Sequence, residues 1–317
     1  MCHPLPLTFG RRGGSLQPAA GDIAAATHPQ LAIAKSAELP GASPPTSITS
    51  LPSFLIGPFF SASHLPTYYP PPPLHYTITN HIRHPLRPKP SRMGEVFYTR
   101  FIPSVGQYLS FRVASISPKP VPYTGPVGPT PPTQSPTVLS MADSALLEMW
   151  HRIPRVAAFW DEYSQSFLPC ALQSRYSFPV IGMWDGVPFG YFELYWVKED
   201  LLGRYAGSTI DDWDRGCHVL IGEEWARGRV QSWLTSLVHF LFCADSRTMS
   251  ICLEPRVDNA RLVMQRVACR SEDANSLSRL IQHLEYAGFT KEKEIAFSHK
   301  QVWFGRLRRE CWEGPSL

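Results

Sequence analysis

The stretch Asp214-Arg215-Gly216-Cys217-His218-Val219-Leu220-Ile221-Gly222, followed by Arg227-Gly228-Arg229-Val230, decides the fold. It reads as a histidine at an exposed turn, a short strand, a basic glycine-containing loop and the start of a helix. From Val230 the apolar positions are Val230, Trp233, Leu234, Leu237, Val238, Leu241 and Phe242. That i, i+3, i+4, i+7 spacing makes one buried helix face, with Gln231, Ser232, Thr235, Ser236 and His239 on the other. A helix that opens in an Arg/Gly loop presents free N–H groups and positive charge to an anion, and a pyrophosphate suits it best. A histidine one strand upstream can serve chemistry beside that anion.

Working outward, Phe178–Met183, Asp185-Gly186 and Phe189–Val197 carry a hairpin signal, because Asp-Gly supplies the positive φ of a tight turn. Tyr191, Glu193 and Tyr195 share one face of the second strand; Phe192, Leu194 and Trp196 share the other. Asp143 or Ser144 is expected to cap a helix running through Trp150. Downstream of the central helix, Met249–Glu254 alternates as a buried strand. Leu280–Ala287 is helical and stops at Gly288, and Ile295–Phe297 with Gln301–Phe304 close the sheet. The order of helix, hairpin, strand, helix, strand, helix and strands is that of an α/β domain of the layered α+β type.

Proline separates the rest of the chain. Of the 317 residues 32 are proline, and 26 of these fall before residue 141. Residues 1–92 are rich in Pro, Ser, Ala and Thr, which cannot bury enough apolar surface to offset chain entropy, so a disordered region is expected. Residues 93–117 contain two strand-like runs, Glu95–Phe101 and Gln107–Val113, which must dock on something to be stable. Residues 118–140 read as a Pro-rich linker, and 141–317 as the compact domain. The net charge of +4 is spread out, with no Lys/Arg run of the kind that binds nucleic acid. Seven cysteines form no CxxC pair and suggest reduced thiols in an intracellular protein, with no metal site. No apolar run is long enough to span a bilayer. The terminal Pro315-Ser316-Leu317 only loosely resembles a peroxisomal signal, leaving a cytoplasmic or peroxisomal location as the expectation.

Several motifs occur together in order: Phe189–Trp196, Asp214–His218, Leu220–Glu223, Glu254-Pro255-Arg256-Val257-Asp258-Asn259 and Ala287-Gly288-Phe289. This set resembles the siderophore-biosynthesis acyltransferases of the GCN5-related N-acetyltransferase (GNAT) fold, in particular the fungal hydroxyornithine transacylases. Gly94–Val113 resembles the end of the extra N-terminal domain of the fungal members. The resemblance implies a mixed central sheet. It also implies acyl transfer from acyl-CoA to the side-chain hydroxylamine of N5-hydroxyornithine or N6-hydroxylysine, forming a hydroxamate without a metal. A general amine N-acetyltransferase and a non-catalytic acyltransferase-like binding protein are the alternatives. The interval between Asn259 and Gly288 is about twice an ordinary helix of three to four turns, and an insertion at about 262–278 is expected there.

Within this resemblance His218 is the candidate base or acceptor-holding group, with Asp258 as a catalytic carboxylate. Glu193, Tyr195, Trp233 and Glu254 are candidates for substrate contact; a carboxylate within aromatic walls suits an ammonium. Core packing and capping are the structural readings of the same residues. The acyl-CoA contacts implied are Ile221, Gly222, Asn259 and the loop Arg227, Gly228, Arg229, Val230, Gln231 and Ser232, where Gly228 permits close backbone approach.

Overall fold

The computed structural model describes residues 75–128, 136–160, 162–257, 272–298 and 300–312. Its centre is an eight-stranded sheet. The Asp185-Gly186 turn, with φ of 45° and 81°, joins β5 (Ser177–Trp184) to β6 (Val187–Trp196) as expected for a two-residue hairpin. β6 pairs with β7 (Arg215–Ile221), and on the other side β5 pairs with β4 (Gln107–Val113), which pairs with β3 (Val96–Ile102). All these pairings are antiparallel. Beyond β7 lie β8 (Ser250–Leu253), β10 (Gln301–Arg308) and β9 (Thr290–Ala296), giving the order β3-β4-β5-β6-β7-β8-β10-β9. The β7–β8 pair is parallel. Parallel neighbours require a crossover, and the amphipathic run supplies it as a 3-10 turn (Glu224–Arg229) leading into a helix (Val230–Ala244).

The helices that frame the site are α2 (Asp143–His151), α3 (Pro154–Ala157), α6 (Val230–Ala244) and α7 (Glu272–Tyr286). Shorter ones are α1 (Pro136–Leu139), α4 (Phe167–Gln173) and α5 (Leu201–Ala206). The periodic face of α6 packs Trp233, Leu234, Leu237, Val238, Leu241 and Phe242 into one core with Phe111, Phe192 and Leu194; Leu284 of α7 joins it. Emptying one such position, as in Leu237→Ala, costs about 2–5 kcal/mol. A second core places Leu146, Leu147 and Trp150 of α2 with Ile181, Met183, Tyr191 and Leu220. The alternation in β6 therefore holds: Phe192 and Leu194 go to one core and Tyr191 to the other.

Four expectations need correction. First, structure begins well before residue 93. β1 (Tyr76–Thr79) and β2 (Ile82–Pro85) form a hairpin whose turn residues Asn80 and His81 have φ of 52° and 65°. Arg87 then fixes the segment by a bidentate pair with Glu199, both contacts 2.6 Å, between the rings of Trp196 and Trp213. Second, the two strands of 93–117 are β3 and β4 of the central sheet, not a separate remnant. Third, the 118–140 linker is partly ordered: Tyr123 reaches Ser110 at 3.2 Å, and Val138 is buried. Fourth, Asp143 does not cap α2. Its carboxylate accepts both terminal nitrogens of Arg112 (2.8 and 2.7 Å) and the N–H of Ser115 (2.7 Å).

The expected insertion lies mostly outside the described residues, but 272–278 of it form the first turns of α7. That helix ends near Gly288, which has a φ of 92° and so takes the left-handed conformation of a glycine stop.

Candidate active site

The site arises where the sheet comes apart. β7 pairs with β6 along its whole length, from Arg215↔Trp196 to Ile221↔Gly190. With β8 it pairs only at Arg215↔Ile251 and Gly216↔Cys252. Past Leu253 the chain enters Glu254-Pro255, and proline has no N–H to give a ladder. The following residues turn to β10 instead: Trp303 N–H donates to the Pro255 carbonyl at 2.9 Å, and Val257 N–H donates to Gln301 at 2.7 Å. The seam between β7 and β8 therefore opens after two residues. It leaves a cavity of about 310 Å³ lined by Cys217–Ile221 on one side and Leu253–Arg256 on the other. A strand edge released from its neighbour presents main-chain N–H and C=O groups as a template for an extended amide chain.

His218 stands on β7 inside this opening. Its ring lies on that of Tyr195, centroids 4.5 Å apart and 26° from parallel. Tyr195 fits there because Gly216 has no side chain; a Cβ at 216 would sit 2.3 Å from the tyrosine ring. Across the seam, Glu254 Oε1 is 3.7 Å from His218 Nδ1, beyond a direct hydrogen bond, and accepts one from Lys300 Nζ at 3.0 Å. Glu254 Oε2 is buried and has no hydrogen-bond partner among the described residues. Burial pushes the Glu254 carboxyl up to about 7, against the opposing pull of Lys300. Burial, with the Lys300 charge adding to it, holds His218 well below the usual histidine range. The imidazole is therefore neutral near pH 7 and able to accept a proton.

Five cationic side chains line the cavity: Arg155, Arg227, Arg256, Arg279 and Lys300. Glu254 is the one lining carboxylate among the described residues. Arg155 sits at the outer end of β7, donating to the carbonyls of Ile221 (2.6 Å) and Gly222, while Glu224 pairs with both Arg155 and Arg227 at 3.0 Å. Between these charges the wall is apolar, with Phe159, Trp160, Val219 and Trp233. The Trp233 indole N–H is buried without a partner among the described residues. A polyanionic ligand with an amide-bearing, partly apolar arm fits this donor set: cations and a helix start for phosphate, a strand edge for amides, and an apolar wall with one free donor.

Of the residues singled out from sequence, the structure brings His218, Glu254, Ile221, Arg227, Val230 and Trp233 to the cavity. Others it places elsewhere. Arg229 turns away: it donates to Gln107 Oε1 at 2.6 Å and lies 5.1 Å from the ring centres of both Trp184 and Trp225. The Gln231 amide is bound to the His283 carbonyl of α7 at 2.9 Å, and Ser232 is not in the wall. Gly222 donates its N–H to Phe189 at 2.9 Å and is a glycine because Trp150 covers it, 2.2 Å from where a Cβ would stand. Gly228 faces open space. Glu193 is buried and accepts from Ser177 Oγ at 2.7 Å. Tyr195 supports His218 from behind rather than lining the cavity. Asp258 and Asn259 lie outside the described residues.

Sequence reading missed Arg155, Phe159, Trp160, Arg279 and Lys300. Arg155 had a visible signal as a basic residue just inside a Pro-initiated turn. Lys300 had none, since only the pairing of β10 brings it to Glu254.

A mixed sheet opened between two parallel neighbours, with a basic turn and helix crossing over the opening, is the GNAT architecture. Residues 140–277 match the acetyltransferase (GNAT) domain family. The N5-hydroxyornithine acetylase sidL of Beauveria bassiana is 55% identical over 266 residues, 83% of this chain and 47% of that protein. The N(6)-hydroxylysine O-acetyltransferase of Escherichia coli is 34% identical, covering 68% of this chain and 56% of that protein. The hydroxyornithine transacylase SID3 of Ajellomyces capsulatus is 31% identical, covering 63% and 43%. A crystal structure of an uncharacterized protein from Bacillus halodurans shares the fold, with a TM-score of 0.51 and 20% identity over 70% of this chain and 94% of that one. The chain thus carries a GNAT acetyltransferase domain and is similar in sequence to hydroxyornithine and hydroxylysine acyltransferases. It spans about half the length of the curated relatives it matches.

Proposed function

We propose that this chain is an acyl-CoA-dependent N-acyltransferase that acylates the side-chain hydroxylamine of N5-hydroxyornithine, or of N6-hydroxylysine, to a hydroxamate. The observation that carries this reading is the neutral, half-buried His218 at the opened β7–β8 seam, in a cavity whose lining also holds five cationic side chains. Acyl-CoA supplies an activated thioester, and the rest is done by the chain's own residues. Arg227, Arg155 and the start of α6 hold the phosphates. The free edge of β7 aligns the pantetheine amides and points backbone N–H groups at the thioester oxygen. A hydroxylamine is unprotonated near neutral pH and already nucleophilic, so His218 acts mainly by positioning it and accepting its proton. The C–N bond forms and the C–S bond breaks; the proton taken up by His218 passes to the leaving thiolate.

The test is turnover of the full chain with acetyl-CoA, read as thiol release and as the coloured ferric complex of the product. N5-hydroxyornithine is expected to react and ornithine to react far more slowly. Preference for ornithine or other plain amines would establish a general amine acetyltransferase instead. Tight acyl-CoA binding without turnover of any acceptor would identify a non-catalytic binding protein.

A further inference from the structure

Glu254 Oε2 is a buried carboxylate oxygen in the cavity wall with no hydrogen-bond partner among the described residues. Its sister oxygen is already used, by Lys300 at 3.0 Å. A buried acceptor left unmade costs free energy unless something in the cavity donates to it. His218 faces the same carboxylate from β7, its Nδ1 3.7 Å from Oε1. A nucleophile whose nitrogen sits at the imidazole therefore has its next atom within reach of Glu254.

We infer that Glu254 reads the hydroxyl of the acceptor, its Oε2 accepting the O–H of a hydroxylamine whose nitrogen faces His218. The inference rests on the function proposed above and assigns what makes that site select a hydroxylamine. The charge of the wall acts in the same direction. Even with Glu224 paired to Arg155 and Arg227, the lining cations outnumber the carboxylates around the cavity among the described residues, which disfavours an alkylammonium, the form of a plain amine near pH 7. They leave a neutral hydroxylamine unopposed. Lys300 has a defined part, because its bond to Oε1 holds the carboxylate in place and leaves Oε2 as the unpaired oxygen. Selection thus comes from a hydrogen bond that only an N–OH acceptor can complete, in a setting that penalises the ammonium.

The experiment compares N5-hydroxyornithine with N5-methoxyornithine, which keeps the nucleophilic nitrogen but has no O–H, in the full-length protein with acetyl-CoA. Wild type is expected to favour the hydroxy compound in kcat/KM by at least about 10²-fold, since sites built to bond a substrate hydroxyl reject analogues that lack it. Glu254→Gln can still accept from Lys300 through its carbonyl but puts N–H donors where Oε2 stood. It is expected to lose most of this preference, slowing the hydroxy compound far more than the methoxy one. Equal wild-type rates for the two acceptors would overturn the inference even if the variant failed to fold. So would a preference retained in a folded Glu254→Gln. A wild type that acylates neither would overturn the proposed function itself, and this inference with it.

Discussion

The two halves of the sheet are built differently. On one side of the seam, β3 to β7 form five antiparallel strands with long ladders, and β5 and β6 are buried almost end to end. On the other, β8, β10 and β9 make a smaller unit whose last strand, Thr290–Ala296, is exposed at nearly every position. Its Lys-Glu-Lys-Glu run keeps that edge from pairing with another chain. A two-residue ladder joins the halves, with Arg306 of β10 reaching Asp214, the residue before β7, at 3.4 Å. His218 belongs to the first half, Glu254 and Lys300 to the second. The well-laddered half thus carries the proposed proton acceptor, while Glu254 and Lys300 sit across the line where the sheet is least tied together. A gap wide enough for an acyl arm and a set of groups close enough for chemistry come from the same short ladder.

The largest effect expected from disturbing this division is at His218. His218→Ala should lower turnover by about 10²–10⁴-fold, the usual contribution of positioned proton transfer. Acyl-CoA affinity and melting temperature should stay close to wild type, because the phosphate-binding end is made by other residues. Loss of activity only in proportion to unfolding would mark the histidine as structural.

The docking of the β1–β2 segment beyond the end of β6 offers a stability test. Arg87→Met leaves Glu199 buried without its bidentate partner, which should cost about 3–5 kcal/mol in denaturant unfolding. Little change would show that the β1–β2 segment only rests against the domain.

A smaller, sharper contrast lies within the basic loop. Arg227→Glu should weaken acyl-CoA binding by about tenfold in calorimetry. A charge-assisted phosphate bond contributes about 1.5–3 kcal/mol, reduced here by solvent because the side chain is 38% exposed. Arg229→Gln should leave that affinity unchanged and lower the melting temperature, since it removes the contacts to Gln107 and the two tryptophans. Equal losses of affinity in both variants would place the loop differently from the arrangement described.

The pH profile gives the mildest effect. With Glu254 pushed up to about 7 by burial, its carboxylate form grows as pH rises from 6 to 8. The kcat/KM for N5-hydroxyornithine should rise by about tenfold over that interval, following the ionised fraction. His218, Lys300 and Tyr195 face the same carboxylate. His218 titrates well below its usual range and Tyr195 well above its own, so Glu254 is the group expected to set this limb. Its absence in Glu254→Gln checks the assignment.

Much of this was legible from local pattern. The Asp185-Gly186 turn and the α6 stripe are written in adjacent residues, and both formed where spacing placed them. The β1–β2 hairpin was hidden because its short alternation, Tyr76–Thr79, stands between proline runs that dominate any compositional reading. The site was half legible. His218 and Arg227 lie in a single contiguous motif, whereas Lys300 reaches Glu254 only through strand pairing. Nothing local separates Arg227 from Arg229; Trp184, Trp225 and Gln107, distant in sequence, draw the second one away. Glu193 reads as a substrate carboxylate until Ser177, directed at it from the neighbouring strand, accounts for it.

The central claim, that acyl-CoA lies in the opened seam between β7 and β8, is tested most directly by amide hydrogen exchange with and without acetyl-CoA. Binding there should slow exchange in Cys217–Ile221 and in the loop Glu224–Val230, while β4 and β5, on the far side of β6, stay as they were. Protection confined to other segments, or an unchanged β7, would contradict it.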